Sequence, residues 1–475
     1  MDTVPPRPGR LRVSVWVMAA AIGLGISGLG PAGAAVPAVV RAAVPAPPST
    51  PAQVLAPTSQ QFVVGPKPAA VAASKADLVA ALDEHALGGD VAASVINVAT
   101  GGVLYARGET RPQHPASTLK ILTALAVLHA YGPDARIDTL VVPGATPRDV
   151  VLVGGGDSTL TRVPTKAADL PAGQSAMPAS MEDLATQTAK SLRLVGITSV
   201  RVSVDDSLFT GPRVASGWPT TFVTTGVVSP VEALSVDGGR KSATTRTRDS
   251  DPAISAGQDL AKRLRARGIK VDKAVTRVAS HVTTPLGRVQ SPTIAELLER
   301  ALTQSDNDLA ESLAHLAGLK LAGEASFAGG ALAVQRTLVA LNIPTTGLSI
   351  FDGSGLSARD LVMPQTTTHA LMAAAQNVPD DGSTAGVYWP AFSGLPIAGV
   401  TGTLTHRFVA LRTTLGRGLV RAKTGTLSGV IGLAGLVRDS HGRLLAFAFA
   451  ADRSPGPLVA AQAALDRAAS VLAAS

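Results

Sequence analysis

The stretch Ser117-Thr118-Leu119-Lys120-Ile121-Leu122-Thr123-Ala124-Leu125-Ala126-Val127-Leu128 places Leu119, Leu122, Leu125 and Leu128 at helical spacing, with Pro115 just before the start, where proline is tolerated. It predicts a buried helix that opens on a serine and carries a lysine three residues later. That spacing stacks the Lys120 amine beside the Ser117 hydroxyl, so the amine can accept the hydroxyl proton if burial or nearby cations lower its pKa. A helix N-terminus also directs free N–H groups and a dipole toward a developing oxyanion. Alone, the same four residues read first as a surface lysine one turn after a capping serine.

Two further short motifs change that weighing. Ser305-Asp306-Asn307 lies just before an apolar helical pattern, Leu309 to Leu319, so Ser305 and Asn307 are expected on a loop or helix start facing a cleft. Lys423-Thr424-Gly425 follows an expected strand, Gly418 to Ala422. There Gly425 permits close backbone approach of a ligand and Lys423 offers a charge for its carboxylate. Each has a plainer reading on its own, an ordinary cap for the first and an edge-strand lysine that discourages aggregation for the second.

Around these motifs the chain reads as several elements. Val91–Ile96 and Val103–Tyr105 flank a Gly101-Gly102 turn and predict a hairpin. From Ile137 to about Thr284 the texture changes to short strand-like runs, Thr139–Val142, Val150–Val153 and Ser199–Val204, with helices expected over Met181–Leu194 and Ala256–Arg267. Helical periodicity returns at Thr293. Strands follow over Val430–Val437 and Leu444–Ala450, and a last helix over Pro457–Ala473.

Composition narrows the function. With 475 residues, 46% hydrophobic and 16% charged, the chain can bury one large core or a few smaller ones. Aromatics are only 3%, which argues against a single-strand nucleic-acid binder built on stacked rings, so no nucleic-acid partner is expected. Cysteine is absent, which rules out disulfides, zinc knuckles and thiol catalysis, and the eight His show no metal-binding spacing. No metal or other cofactor is expected. The net charge of +8 is scattered; it favours an anionic substrate or surface, or is simply a solvated basic exterior.

Residues 1–35 look like an export signal: Arg7, Arg10 and Arg12 precede the apolar run Val13–Gly30, and Ala32-Gly33-Ala34 follows. The run carries Gly23, Gly25 and Gly28 and falls short of the about 20 residues of a membrane span, so cleavage is favoured over a retained anchor, which would act as a membrane tether. Both readings place the rest of the chain outside the cytoplasm. Residues 36–70 are rich in Pro and Ala and read as a linker, a spacer or a leader without mechanical role.

In order, the three motifs match the SxxK, SDN and KTG set of serine acyltransferases. From about residue 75 to the end the chain resembles the class C low-molecular-mass penicillin-binding proteins, the D-alanyl-D-alanine carboxypeptidase/endopeptidase family. Leu152-Val153-Gly154-Gly155-Gly156-Asp157-Ser158-Thr159-Leu160 resembles that family's glycine-rich GDPTL segment, with Ser158 where proline is usual. Val204–Phe209 and Asp352-Gly353-Ser354-Gly355-Leu356-Ser357 are also family-like. The resemblance implies an α/β fold: a β-lactamase/transpeptidase-like domain, an antiparallel sheet with helices on both sides, split by an inserted α+β domain. The implied division is a peptidase domain over 71–136 and 285–475 and an insert over 137–284, a length that accommodates one inserted domain where family members often have two.

The resemblance also implies roles. Ser117 corresponds to the nucleophile, Lys120 to its base, Ser305 to the relay that protonates the leaving amine and Asn307 to a holder of the substrate amide. Lys423, Thr424 and Thr426 line up with the residues that meet the terminal carboxylate, Gly425 among them with a substrate-binding position, and the backbone N–H groups of Ser117 and Thr426 with the oxyanion hole. The implied partners are peptidoglycan stem peptides as substrate and β-lactam antibiotics as covalent inhibitors. Two departures stand out: Trp218-Pro219 leads to Thr220-Thr221 where an acidic residue is frequent, and Ala358 follows Gly353-Ser354-Gly355-Leu356-Ser357 where arginine is usual, Arg359 coming next. A serine β-lactamase is disfavoured, since no ExxLN follows Ser117 and no Tyr-x-Asn occurs at Tyr105, Tyr131 or Tyr388. A non-catalytic binding protein on the same fold is disfavoured by the intact Ser, Lys, Ser, Asn and Lys positions.

Overall fold

The structure, a computed structural model, describes residues 74–170, 176–272, 274–376 and 386–475. The expected export segment (1–35) and linker (36–70) lie outside the described residues. The described chain opens with α1 (Lys75–Leu82), a hairpin of β1 (Asp90–Asn97) and β2 (Val103–Arg107), and α2 (Lys120–Tyr131). Next come β3 (Arg136–Pro143), β4 (Asp149–Val153), α3 (Met181–Leu194), β5 (Ser199–Asp205), a single turn α4 (Thr221–Thr224) and α5 (Pro252–Ala266). β6 (Lys270–Val271), β7 (Thr276–Arg277) and β8 (Gly287–Thr293) lead to α6 (Ile294–Thr303), α7 (Asn307–Ala322), α8 (Phe327–Ala340), α9 (Pro364–Gln376) and α10 (Trp389–Ser393). The chain ends with β9 (Arg421–Leu427), β10 (Val430–Arg438), β11 (Leu444–Asp452) and α11 (Leu458–Ala474).

Period-two patterning in β11 decides the main layer. Leu445, Phe447, Phe449 and Ala451 point to one face, where they pack with α1 and α11; Ala446 and Ala448 point to the other, toward α2, α6, α7 and α9. Burying each of the two phenylalanines contributes about 1.5–3 kcal/mol. The sheet runs β2-β1-β11-β10-β9, all antiparallel, with helices on both sides, as expected from the resemblance. Coverage of both faces explains why β10 is buried from Ile431 through Val437.

A second sheet, ordered β6-β5-β4-β3-β8 with β7 on β5, has its own core with α3 and α5. Its pairings are mixed. β3 pairs antiparallel with β4 and β8, while β4 pairs parallel with β5 across α3, and β5 parallel with β6 across α5. Two boundaries differ from the sequence reading. α5 starts at Pro252 because Asp251 caps it, accepting the Ile254 N–H at 3.0 Å. The strand expected over Gly418–Ala422 is instead β9, Arg421–Leu427: Gly418 is at φ 74°, and the backbone of Gly418 and Val420 bonds to Ala398. Among the described residues, no helix is long and apolar enough to cross a membrane.

Candidate active site

Ser117 lies on a 3-10 turn, Ala116–Leu119, so the regular helix begins at Lys120 and not at the serine. Two glycines let other elements close on that turn. A Cβ at Gly355 would sit 1.8 Å from the Ala116 carbonyl oxygen, and one at Gly425 2.7 Å from that of Pro115. Glycine at those two positions therefore sets how near the Asp352–Ser357 loop and β9 approach the serine. Lys423, Thr424, Gly425 and Thr426 lie inside β9, the sheet's edge strand, and not after a strand as the sequence suggests.

Ser305 adopts φ 56°, a left-handed conformation that costs a non-glycine residue on the order of 1–3 kcal/mol and is concentrated at functional sites. Asp306 follows as the N-cap of α7, accepting the Leu309 N–H at 3.1 Å and an ion pair from Arg300 at 3.2 Å. Asn307 is thus the first residue of α7.

Two buried amines tie these parts together. Lys120 Nζ lies 2.9 Å from Ser117 Oγ and donates to Asn307 Oδ1 and to the Ser354 carbonyl, each at 2.8 Å. Lys423 Nζ reaches Ser305 Oγ at 2.8 Å and the Thr424 carbonyl at 3.0 Å. The Asn307 amide nitrogen donates to the Val227 carbonyl at 3.0 Å, so both ends of that side chain are held. Thr424 turns its hydroxyl to Thr403 Oγ1 at 3.0 Å. Ser117, Ser305, Asn307 and Thr426 share the wall of one cleft of about 920 Å³.

Burial controls the charge of both lysines. Lys120 is 2% exposed, and loss of hydration pushes its pKa down to about 8 against the opposing pull of Glu311 and Asp352. Lys423, fully buried, is pushed well below the usual lysine range by burial and by the Lys120 charge. A neutral amine 2.9 Å from a serine hydroxyl is a competent general base.

The sequence reading did not single out Glu311. It lies four residues after Asn307 on α7, fully buried, and its carboxylate accepts the N–H groups of Gly353 at 2.9 Å and Ser354 at 2.8 Å. It thereby holds the loop whose Ser354 carbonyl receives Lys120. Asp352 holds the same loop from within, accepting from Gly355 and Ser357, each at 2.6 Å, and from Trp218 Nε1 at 2.7 Å. A carboxylate inside the leucine stripe of α7 was the available signal for Glu311. Asp90, His114 and Asp452 also line the cleft, with His114 Nδ1 at 2.8 Å from Asp452 Oδ2.

A pH dependence follows. If neutral Lys120 is the base, acylation of Ser117 should rise with pH through a limb near about 8, since deprotonation supplies the active form. Burial and the Asp352 charge raise Glu311 to about 8 as well, so the two groups titrate as a pair; the ionised Glu311 raises the Lys120 pKa, and Glu311→Gln should move that limb to lower pH. The pH profile of acylation by an activated ester measures this, and a limb unmoved in the variant would separate Glu311 from Lys120.

Comparison with known proteins agrees over most of the chain. A family model described as the D-Ala-D-Ala carboxypeptidase 3 (S13) family matches residues 74–250 and 241–472. Carboxypeptidase DacB of Mycolicibacterium smegmatis is 37% identical over 403 residues, 83% of this chain and 82% of that protein. A carboxypeptidase of Mycobacterium tuberculosis is 36% identical over 420 residues, 87% of this chain and 86% of that one. Among solved structures, penicillin binding protein 4 (dacB) from Haemophilus influenzae superposes with a TM-score of 0.65 at 21% identity, covering 82% of this chain and 97% of that one, a likeness of fold.

Proposed function

The chain belongs to the D-Ala-D-Ala carboxypeptidase 3 (S13) family, and on that premise we propose that it removes the terminal D-alanine of peptidoglycan stem peptides through an acyl-enzyme on Ser117. The observation that carries the reading is the buried Lys120 amine at 2.9 Å from the Ser117 hydroxyl. Neutral Lys120 takes the Ser117 proton as Oγ attacks the carbonyl of the penultimate D-alanine. The oxyanion forms against the backbone N–H groups of Ser117 and Thr426, an arrangement in which one donor is typically worth about 100- to 1000-fold in rate. The tetrahedral intermediate then collapses: the C–N bond breaks, Ser305, bonded to Lys423, passes its proton to the departing amine, and the proton that Lys120 took from Ser117 replaces it, which leaves Lys120 neutral. Water attacks the ester as neutral Lys120 takes its proton and then returns it to Ser117 Oγ, releasing the shortened peptide and restoring the serine hydroxyl. A D-centre in a cross-link offers the same bond, so endopeptidase cleavage needs no other chemistry.

Asn307, held at both ends, suits the substrate amide, and Lys423 and Thr426 suit the terminal carboxylate. β9, as an edge strand, offers unpaired backbone groups for an extended peptide. A β-lactam, as a strained amide with an adjacent carboxylate, is attacked by the same serine and leaves a stable ester. The enzyme acts outside the cytoplasm, where peptidoglycan lies. We extend the proposal to export by residues 1–35, to a spacer over 36–70, and to the division into a peptidase domain (71–136, 285–475) and an insert (137–284); the separate core of the second sheet supports an insert, but that core takes in Val289 and the sheet takes in β8, so the insert reaches past 284.

The carboxylate assignment is testable. A hydrogen bond to a charged group contributes about 1.5–3 kcal/mol, so Thr426→Ala should lower kcat/KM on D-Ala-D-Ala peptides by roughly 10-fold, the low end of the corresponding range. The backbone N–H survives this change, so acylation by an ester lacking the carboxylate should be nearly unaffected. Equal losses on both substrates would show that Thr426 acts through structure.

A further inference from the structure

The cleft continues past Asn307. A second cavity of about 690 Å³ shares Val227, Ser305 and Asn307 with it but includes neither Ser117 nor Thr426. It therefore opens from the residues assigned to the leaving amine. One wall is the segment Arg240-Lys241-Ser242-Ala243-Thr244-Thr245-Arg246-Thr247-Arg248, which contains four basic residues and no acid. The segment folds back on itself: Arg240 bridges Arg248, and the Lys241 N–H donates to the Thr247 carbonyl at 3.0 Å. It also packs against the loop that bears Val227, since a Cβ at Gly226 would lie 2.0 Å from the Arg246 carbonyl oxygen. Arg240, Arg246 and Arg248 all line the cavity.

The charges on this wall are not balanced from within. The Arg248 side chain is 3% exposed and uses one nitrogen, Nη2, on Asp308 at 2.6 Å. Its Nε and Nη1 have no hydrogen-bond partner among the described residues, and the hydroxyl of Ser158, 8% exposed and on the same cavity wall, has none either. Leaving such buried donors unpaired is costly, so a ligand acceptor that pairs with them is favoured. Burial pushes the Arg248 pKa down and the Arg240 charge adds to it, against the opposing pull of Asp308 and Asp306. The neighbouring acids are committed elsewhere: Asp237 to Arg162, Asp306 to Arg300, and Glu296 to the Thr293 cap. Burial raises the Glu299 pKa toward the neutral form, and Asp169 is exposed.

We propose that this cavity is a second subsite of the cleft, which takes a carboxylate carried on the amine side of the scissile bond, with Arg246 and Arg248 as its recognition groups. A planar guanidinium matches a carboxylate with paired N–H donors, which a scattered basic surface does not provide. The subsite rests on the acyl-transfer reading above and adds selection of the leaving group: an amine whose side chain ends in a carboxylate is favoured over its neutral isostere.

The test uses peptides identical but for the last residue: D-alanine, D-2-aminopimelate, or the ω-amide of D-2-aminopimelate. The expected ratio of kcat/KM for acid over amide is about 10-fold or more in the wild-type protein, from one hydrogen bond to a charged group. It should fall toward one in Arg246→Gln, whose side chain is exposed and whose loss leaves the core intact. Arg248→Gln should abolish the preference as well; because that change leaves Asp308 buried without its partner, its thermal unfolding is measured alongside, and Arg246→Gln decides if it does not fold. A wild-type ratio near one, or a ratio unchanged in Arg246→Gln, overturns the subsite while D-alanine release stands. Absence of D-alanine release in the wild type overturns the acyl-transfer reading and the subsite with it.

Discussion

Ser117→Ala is expected to abolish both D-alanine release and covalent labelling by penicillin while the protein stays folded. The substitution removes one half-buried hydroxyl and no apolar core volume, so the thermal unfolding midpoint should move little. The chemistry leaves no substitute: the other serine nearby, Ser305, is bonded to Lys423 and lies beyond the Lys120 contacts. In another serine hydrolase, loss of the nucleophile costs on the order of a million-fold in turnover. Steady-state kinetics on a D-Ala-D-Ala peptide measures the effect, and residual turnover above roughly a hundredth of wild type would remove Ser117 from the mechanism.

Lys120→Ala should approach the same loss, by a different route. The amine is the one base within reach of Ser117 Oγ among the described residues, and it also holds Asn307 Oδ1 and the Ser354 carbonyl, so its removal disarms the serine and loosens the contact to α7 together. Because the native state buries a lysine at some cost in hydration, the variant should not be grossly unstable. Pre-steady-state acylation separates these effects from substrate binding. An unchanged acylation rate, or a surviving ascending limb near pH 8, would mean that another group takes the proton.

The residues of the site were legible because the motifs are short and local in sequence while their types state their chemistry: an amine three residues after a serine, a Ser-Asp-Asn before an apolar helix, a lysine before a glycine. The main sheet was legible from period-two runs such as Leu444–Asp452. What the sequence hid depends on tertiary contacts. α8 escaped because Gly329 and Gly330 weaken its helical signal, yet Gly330 lets α7 approach, since a Cβ there would lie 3.0 Å from the Ala314 carbonyl oxygen, and Gly318 on α7 does the same from the other side, where a Cβ would fall 2.6 Å from Gly329. α9 carries Thr366-Thr367-Thr368 in its first turns, β-branched residues that argue for strand until packing overrides them. Glu311 matters through the N–H groups of Gly353 and Ser354, which lie far away in sequence, and no periodicity reports such a contact. The placement of Lys423 inside β9 was missed for a related reason: Gly418 is extended in pattern but left-handed in fact.

The central claim is that acyl transfer runs through Ser117. Incubation of the purified protein with a fluorescent penicillin, followed by proteolysis and mass mapping of the labelled peptide, tests it most directly. One stable adduct is expected on the peptide containing Ser117, absent from Ser117→Ala. No covalent adduct with the drug left intact, or an adduct mapping to another residue, would contradict it.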